Sequence, residues 1–227
     1  MKESLPAGEY RIVPFSKEYV DGAVEMHILA FRDFFLTRLG RGFLRELYDA
    51  LAEDENTVGY IALDSHNRVR GACIGLLNAK GFYRRLVKKK WWAFAFQAGY
   101  AVIKHPKIIP RLFRALRHES FPPPCNIEKL GALQTTSVEP GAQGLGVAIV
   151  LMRSVCDEYV RRGVDVVYLN TDADNNDRVR GFYKAMGWDF LDYYTTNEGR
   201  RMCWYLWQNP AKKVPLSSLR YKTDDES

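Results

Sequence analysis

Between Glu139 and Ala148 the chain reads Glu-Pro-Gly-Ala-Gln-Gly-Leu-Gly-Val-Ala, a glycine-rich turn between two regular stretches. The apolar run Leu130 to Val138 before it has strand character, and Leu145 to Tyr159 after it has helical periodicity. A strand that feeds such a turn into a helix start gathers unpaired backbone N–H groups and the positive end of a helix dipole at one point. That combination binds anions, phosphate best of all. Gly144 and Gly146 allow close approach, because a Cβ at either would stand between main chain and ligand. No Gly-Lys-Ser/Thr follows and the spacing is not G-x-G-x-x-G, so neither common nucleotide-binding signature is present. Turns of this kind also occur with no ligand, so the stretch alone leaves a purely structural role open.

Further on, the segment from Asn176 to Trp188 contains Phe182-Tyr183 and Gly187. The Tyr183 phenol, with an ordinary pKa near 10, keeps its proton at neutral pH and can act as a general acid. Its alternative role is that of a core aromatic beside Phe182.

The two segments together carry a resemblance. Gln143-x-x-Gly146-x-Ala148 resembles the acyl-CoA pyrophosphate signature (Gln/Arg-x-x-Gly-x-Gly/Ala) of the GNAT N-acetyltransferases. The second segment resembles that family's Asn-x-x-x-x-x-Phe-Tyr-x-x-x-Gly-Phe, with Trp188 where Phe is usual and Val179 where Ala is usual. The match is clear over Leu130 to Gln208, weaker over Tyr10 to Leu77, and absent between Asn78 and Cys125. It implies an α/β (α+β) fold, a mixed and mostly antiparallel twisted sheet flanked by helices, with a helical insertion between strands 3 and 4. It also implies acetyl-CoA as co-substrate. Gln143, Gly144 and the amides of Leu145, Gly146, Val147 and Ala148 would then hold the pyrophosphate. Ser137 and Val138 would offer main-chain groups to the pantetheine arm, and Asn176 would hydrogen-bond that arm. A backbone N–H at Val138 or a neighbour would polarise the acetyl carbonyl. Tyr183 would stand by the sulfur as general acid. In this family the loop joining the first two helices borders the acceptor pocket. That marks Phe34 and Phe35, which are otherwise core aromatics, with Gln134 and Asp172 as further acceptor-binding candidates. Where some members carry a basic Glu, this chain has Ala132. Glu128, Asp172, His118 or a chain of waters would have to accept the amine proton.

The bulk properties suit this reading without choosing it. At 227 residues, 47% hydrophobic and 26% charged, the chain has the composition of a globular domain with a full core. A net charge of +6 favours an anionic partner such as CoA. The four cysteines and four histidines lack ligand spacing, so no metal site and no disulfide framework are expected. Lys2 and Glu3 lead into Leu5-Pro6 with no secretory pattern, so the expected location is the cytoplasm.

Positioning these groups requires the following elements. Tyr10 to Pro14 is a first strand, Glu18 to Arg32 and Phe43 to Leu51 are amphipathic helices, and Phe31 to Leu39 is the connection. Thr57 to Leu63 and Val69 to Leu77 form a hairpin across Asp64-Ser-His-Asn67. Asn126 to Val138 is the central strand, and the long helix runs to Arg162 with Gly163 as its C′ residue. Asp165 to Thr171 is a strand parallel to the central one. Asp177 to Met186 is a helix, and Trp188 to Tyr194 with Arg201 to Trp207 closes the sheet as a hairpin. Residues 1–208 are thus expected to form a single domain, with 78–125 an aromatic and basic insertion and 209–227 a polar, frayed tail. Within the insertion, Trp91 to Ile103 is too short to span a bilayer. It is either a buried helix or an interfacial one, with Lys88 to Lys90 and Lys104 on anionic headgroups.

The expected activity is transfer of an acetyl group to a primary amine of a small acceptor. The insertion points to an amino sugar of surface polysaccharide synthesis, with antibiotics, polyamines and protein N-termini left open as acceptors. The alternatives are a non-catalytic acyl-CoA sensor, or a membrane-peripheral protein acting through residues 81–117. No nucleic-acid partner is expected; membrane contact would run through residues 88–104, at the inner face of the membrane, and the oligomeric state is open between monomer and homodimer.

Overall fold

The computed structural model describes residues 10–32, 34–79, 82, 85–86, 125, 127, 129–196 and 199–219. The insertion expected at 78–125 and the membrane contact at 88–104 therefore lie almost wholly outside the described residues.

The fold grows from the hairpin of β2 (Thr57–Leu63) and β3 (Val69–Leu76). Its turn is set by Asp64, whose Oδ1 accepts the N–H groups of His66 and Arg68 at 2.8 and 2.9 Å, while Asn67 takes a left-handed φ of 59°. Short polar residues at a tight turn do both of these things. β1 (Arg11–Pro14) lies antiparallel to β2, and β4 (Leu130–Val138) antiparallel to β3. β5 (Val166–Asp172) runs parallel to β4, and the hairpin of β6 (Asp189–Thr195) and β7 (Arg201–Gln208) closes the sheet. The order of this seven-stranded sheet is β1-β2-β3-β4-β5-β7-β6.

Each face carries its own core. On one, α1 (Val20–Ala30) and α3 (Arg41–Glu53) pack Val24, Leu44, Leu47 and Tyr48 onto Ile61, Ala72, Ile74 and Leu76. On the other, α4 (Val147–Arg161) and α5 (Asp177–Ala185) pack Leu151, Val155, Tyr159 and Tyr183 onto Ala62, Cys73, Leu133 and Leu169. Gly75, a weak strand residue by propensity, is needed for this second face. A Cβ there would overlap the Tyr159 hydroxyl, which donates to the Ala132 carbonyl at 2.9 Å. α4 can therefore settle close onto β3 and β4.

Several element ends differ from expectation, β4 starting at Leu130 rather than Asn126 among them, and three differences have a clear physical cause. α4 begins at Val147, two residues late, because Gly146 sits at its N-cap with φ 79° and keeps Leu145 in the turn. The connection after α1 contains a short helix, α2 (Phe35–Arg38), folded back by Thr37 Oγ1 donating to the Phe31 carbonyl at 2.6 Å. Asn209 to Leu219 is not frayed. Leu216 and Leu219 pack on Trp204 and Leu206, and Lys212 and Lys213 pair with Asp165 and Asp189 at 2.8 and 2.7 Å. Among the described residues, no helix is long and apolar enough to cross a membrane.

Candidate active site

The site begins where the sheet divides. β4 pairs with β5 only at Leu130–Val166, Gly131–Val167 and Ala132–Tyr168. Beyond these pairs the two strands part. The β3–β4 register jumps from Gly75–Leu133 to Ile74–Thr135, so Gln134 is the extra residue of a bulge at the mouth of the fork. After the bulge the ladder resumes, and the Glu139 N–H donates to the Arg70 carbonyl at 2.9 Å. In an antiparallel pair such residues alternate. Ser137 and Thr135 therefore spend their main chain on β3, whereas the N–H and C=O of Thr136 and Val138 face the fork. Of the two strand residues the sequence singled out, Val138 presents main-chain groups to the gap and Ser137 does not. The second residue on the open edge is Thr136.

The glycine-rich turn follows at the open end. Gly144 and Gly146 both adopt left-handed φ values, 85° and 79°, and space is open beside Gly144. Ile149 and Val150 donate to the Gly146 carbonyl, and Leu145 to Ala142. The N–H groups of Gly144, Gly146, Val147 and Ala148 have no such partner among the described residues. Gln143 reaches back, its Nε2 donating to the Val138 carbonyl at 3.3 Å. Glu139, the acidic residue nearest the turn, is neutralised by Arg70, itself shared with Asp64. The turn thus keeps the electrostatics of an anion site.

Tyr183 lies on the same face of the sheet as this turn, in one core cluster with Val138, Ala142 and Val147. Its ring meets those of Phe182, Trp188 and Tyr205. Burial pushes its phenol well above the ordinary value, nearby Cys73 adds to the rise, and a hydrogen bond with Thr136 opposes it. Tyr183 is therefore wholly protonated at neutral pH, and it faces the open-edge residue of β4. Asn176, at the N-cap of α5, donates its amide to Thr171 Oγ1 at 2.8 Å and to the Asp172 carbonyl at 3.1 Å, tying α5 to the end of β5. Cys73 Sγ lies 3.4 Å from Thr136 Oγ1, but complete burial raises its thiol to about 12.

A cavity of about 560 Å³ passes through the fork, lined by β4, β5, α5 and, from the opposite face, α1 and the α1–α2 connection. Gln134, Asp172 and Phe34 all line it, as do Asn176 and Tyr183. The side chain of Phe35 lies outside what is described. Asp172 is bound in a bidentate pair by Arg200, whose Nε donates to Oδ1 at 2.9 Å and whose Nη2 donates to Oδ2 at 2.6 Å. The Arg200 guanidinium in turn lies 4.8 Å from the Phe34 ring centroid. Asp172 is thus a fixed structural anion rather than a free base. Glu128 and His118, the other candidate bases, lie outside the described residues.

Residues 113–188 match the model of the acetyltransferase (GNAT) family. That third of the chain, which includes the glycine-rich turn and Asn176 to Trp188, is thus similar to the GNAT acetyltransferases. Its fold is shared by solved structures of low identity. A GNAT-family protein from Desulfovibrio desulfuricans superposes with a TM-score of 0.59 at 11% identity, covering 88% of this chain and 99% of that one. Arabidopsis thaliana NAA60 in complex with acetyl-CoA gives 0.54 at 17%, covering 88% and 98%. The ribosomal-protein-S18-alanine N-acetyltransferase of Escherichia coli gives 0.54 at 12%, covering 88% and 93%. No curated protein sequence matches the chain.

Several cavity residues carry no sequence signal. His27 sits on an apolar helix at no ligand spacing, yet it lines the cavity with Nδ1 2.9 Å from the Tyr48 hydroxyl. Burial lowers it to about 4, so its imidazole is neutral at pH 7. Thr135, Thr136 and Arg200 likewise acquire their places only through register and the β6–β7 turn. The chemistry of Thr135 and Thr136 is visible in the sequence, but the parity that divides them between the two faces is not.

Proposed function

We propose that this protein is an acetyl-CoA-dependent N-acetyltransferase that transfers directly to the primary amine of a small, polar acceptor with no charged group besides that amine, with an amino sugar as the best-fitting class. One observation carries the reading: the free amides of the turn, the open main-chain edge at Thr136 and Val138, and the Tyr183 hydroxyl follow one another along the fork. The turn amides would hold the pyrophosphate of acetyl-CoA. The edge of β4 would pair with the pantetheine amides as an added strand does. A main-chain N–H on that edge would polarise the thioester carbonyl.

In the transfer, the amine nitrogen bonds to the thioester carbon and the carbon–sulfur bond breaks. Tyr183 supplies a proton to the departing sulfur. The proton lost by the attacking nitrogen returns to the Tyr183 oxygen through solvent, so charge and protons balance. Burial that raises the phenol raises the proton affinity of a buried thiolate as well, so the hand-over remains feasible. An acetyl-cysteine route through Cys73 is disfavoured, because a fully buried thiol near 12 supplies almost no thiolate.

The acceptor class follows from charge. The cavity's carboxylate among the described residues, Asp172, is consumed by Arg200. A polyamine would find no counter-ion there, whereas a sugar can place its apolar face on Phe34 and its hydroxyls on Gln134 and Asn170. Four free, buried cysteines support a reducing compartment, the cytoplasm. The test is release of free thiol from acetyl-CoA with glucosamine, a dipeptide and spermidine. Turnover with glucosamine exceeding that with spermidine is expected. Tight acetyl-CoA binding without thiol release from any amine would instead favour a sensor.

A further inference from the structure

The α1 side of the cavity contains two buried polar atoms without a partner among the described residues, His27 Nε2 and Thr135 Oγ1. Both residues line the cavity, and they are only 7% and 9% exposed. A buried polar atom left unpaired costs about 1–3 kcal/mol, so two on one wall point to a ligand that satisfies them. They share a face of the sheet. Thr135 pairs with Ile74, whose side chain belongs to the α1–α3 core, and α1 brings His27 to that same core from above. The Nδ1 contact with Tyr48 on α3 fixes the imidazole ring and leaves Nε2 on its other edge. Thr135 is also the residue between the bulge at Gln134 and the open edge at Thr136. A group held by Thr135 and His27 therefore lies across the fork from Tyr183.

We propose that His27 Nε2 and Thr135 Oγ1 are the seat of the acceptor nitrogen, each accepting one N–H of the neutral amine while its lone pair faces the thioester carbon. The assignment rests on the acetyl-transfer reading. A primary amine has two N–H groups and one lone pair, and the wall offers two acceptors. His27, lowered by burial, is neutral at pH 7 and keeps one ring nitrogen without a proton. Nδ1–H then donates to the Tyr48 oxygen and Nε2 is the free acceptor. Such a seat selects nitrogen bearing hydrogens and rejects fully alkylated nitrogen, whatever the remainder of the acceptor.

The test needs no knowledge of the natural acceptor. Three probes are titrated calorimetrically into the full chain: CoA, CoA carrying an S-linked CH2–CO–NH–CH3 group, and the same conjugate with N(CH3)2. In the unaltered protein the N-methylamide should bind roughly three- to tenfold tighter than the dimethylamide, the worth of the one buried neutral hydrogen bond its single N–H can make. The double variant His27→Asn with Thr135→Val should erase that advantage and leave CoA affinity unchanged. Asn reaches the position of Nδ1 but not of Nε2. His27→Gln, which reaches Nε2, should restore most of the advantage beside an intact Thr135. Equal affinity of the two amides in the unaltered protein overturns the proposal. So does an advantage that survives the double variant, or a parallel loss of CoA affinity, which would mark both residues as structural. If CoA itself fails to bind, the acetyl-transfer reading falls, and the seat falls with it.

Discussion

The two halves of the cleft are built in opposite ways. The half proposed for the coenzyme is main chain: an open strand edge at Thr136 and Val138 followed at once by a turn whose glycines hold φ values of 85° and 79°. The half proposed for the acceptor is side chain, with His27 and Phe34, Gln134 and Thr135, Asp172, and Arg200 arriving from separate parts of the sequence. A main-chain site depends on conformation, so few positions in it resist change, and those resist absolutely. A side-chain site depends on identity, so each position matters a little and specificity can drift residue by residue.

The contrast can be tested from both sides. Replacing Gly144 and Gly146 together by Val forces two β-branched residues into left-handed backbone and places side chains where the phosphate would approach. CoA affinity should fall on the order of a hundredfold or more by calorimetry, while the chain stays folded by circular dichroism. Next comes Tyr183→Phe, which keeps the ring packing. kcat should drop on the order of a hundredfold while the KM for acetyl-CoA stays put. Equal changes in the two constants would assign Tyr183 to binding instead.

On the acceptor side, His27 makes stability depend on acidity. Its folded value near 4 lies below the ordinary 6.5, so the unfolded chain binds the extra proton between those values. Stability is full above about pH 6.5 and declines as the pH falls, by about 2 kcal/mol at pH 5. Denaturant titrations at pH 8 and pH 5 should show this loss, and His27→Gln should remove its share. The smallest effect is expected from Arg200→Ala, which frees Asp172 and strips the cation from Phe34. The KM for glucosamine should rise about tenfold and that for acetyl-CoA should not move. If both shift, the separation between the halves is weaker than the geometry indicates.

The same contrast governs what the primary structure reveals. Glycines in a strand-to-helix turn and the Asn176–Tyr183 spacing are local, and the structure places them together along one fork. The order of strands around the hairpins is legible for the same reason. The bulge at Gln134 is not, because it exists only against Gly75 and Ile74 on β3. Strand parity follows from that register, which is why Thr136 rather than Ser137 meets the gap. The short helix at Phe35–Arg38 depends on one side-chain hydrogen bond from Thr37. The pair that ties up Asp172 is equally hidden, because Arg200 reaches it only through the β6–β7 turn.

The three residue pairs joining β4 to β5 make the sheet resemble two blades riveted near Ala132. β1 to β4 form one blade and β5 to β7 the other. At the rivet, an added Cβ on Gly131 would meet the Tyr159 ring at 2.9 Å and Val164 at 3.0 Å. A larger residue there would pry the blades at their pivot. The damage would surface at the far end, as an altered angle between the edge proposed to grip the donor and the wall proposed to seat the acceptor.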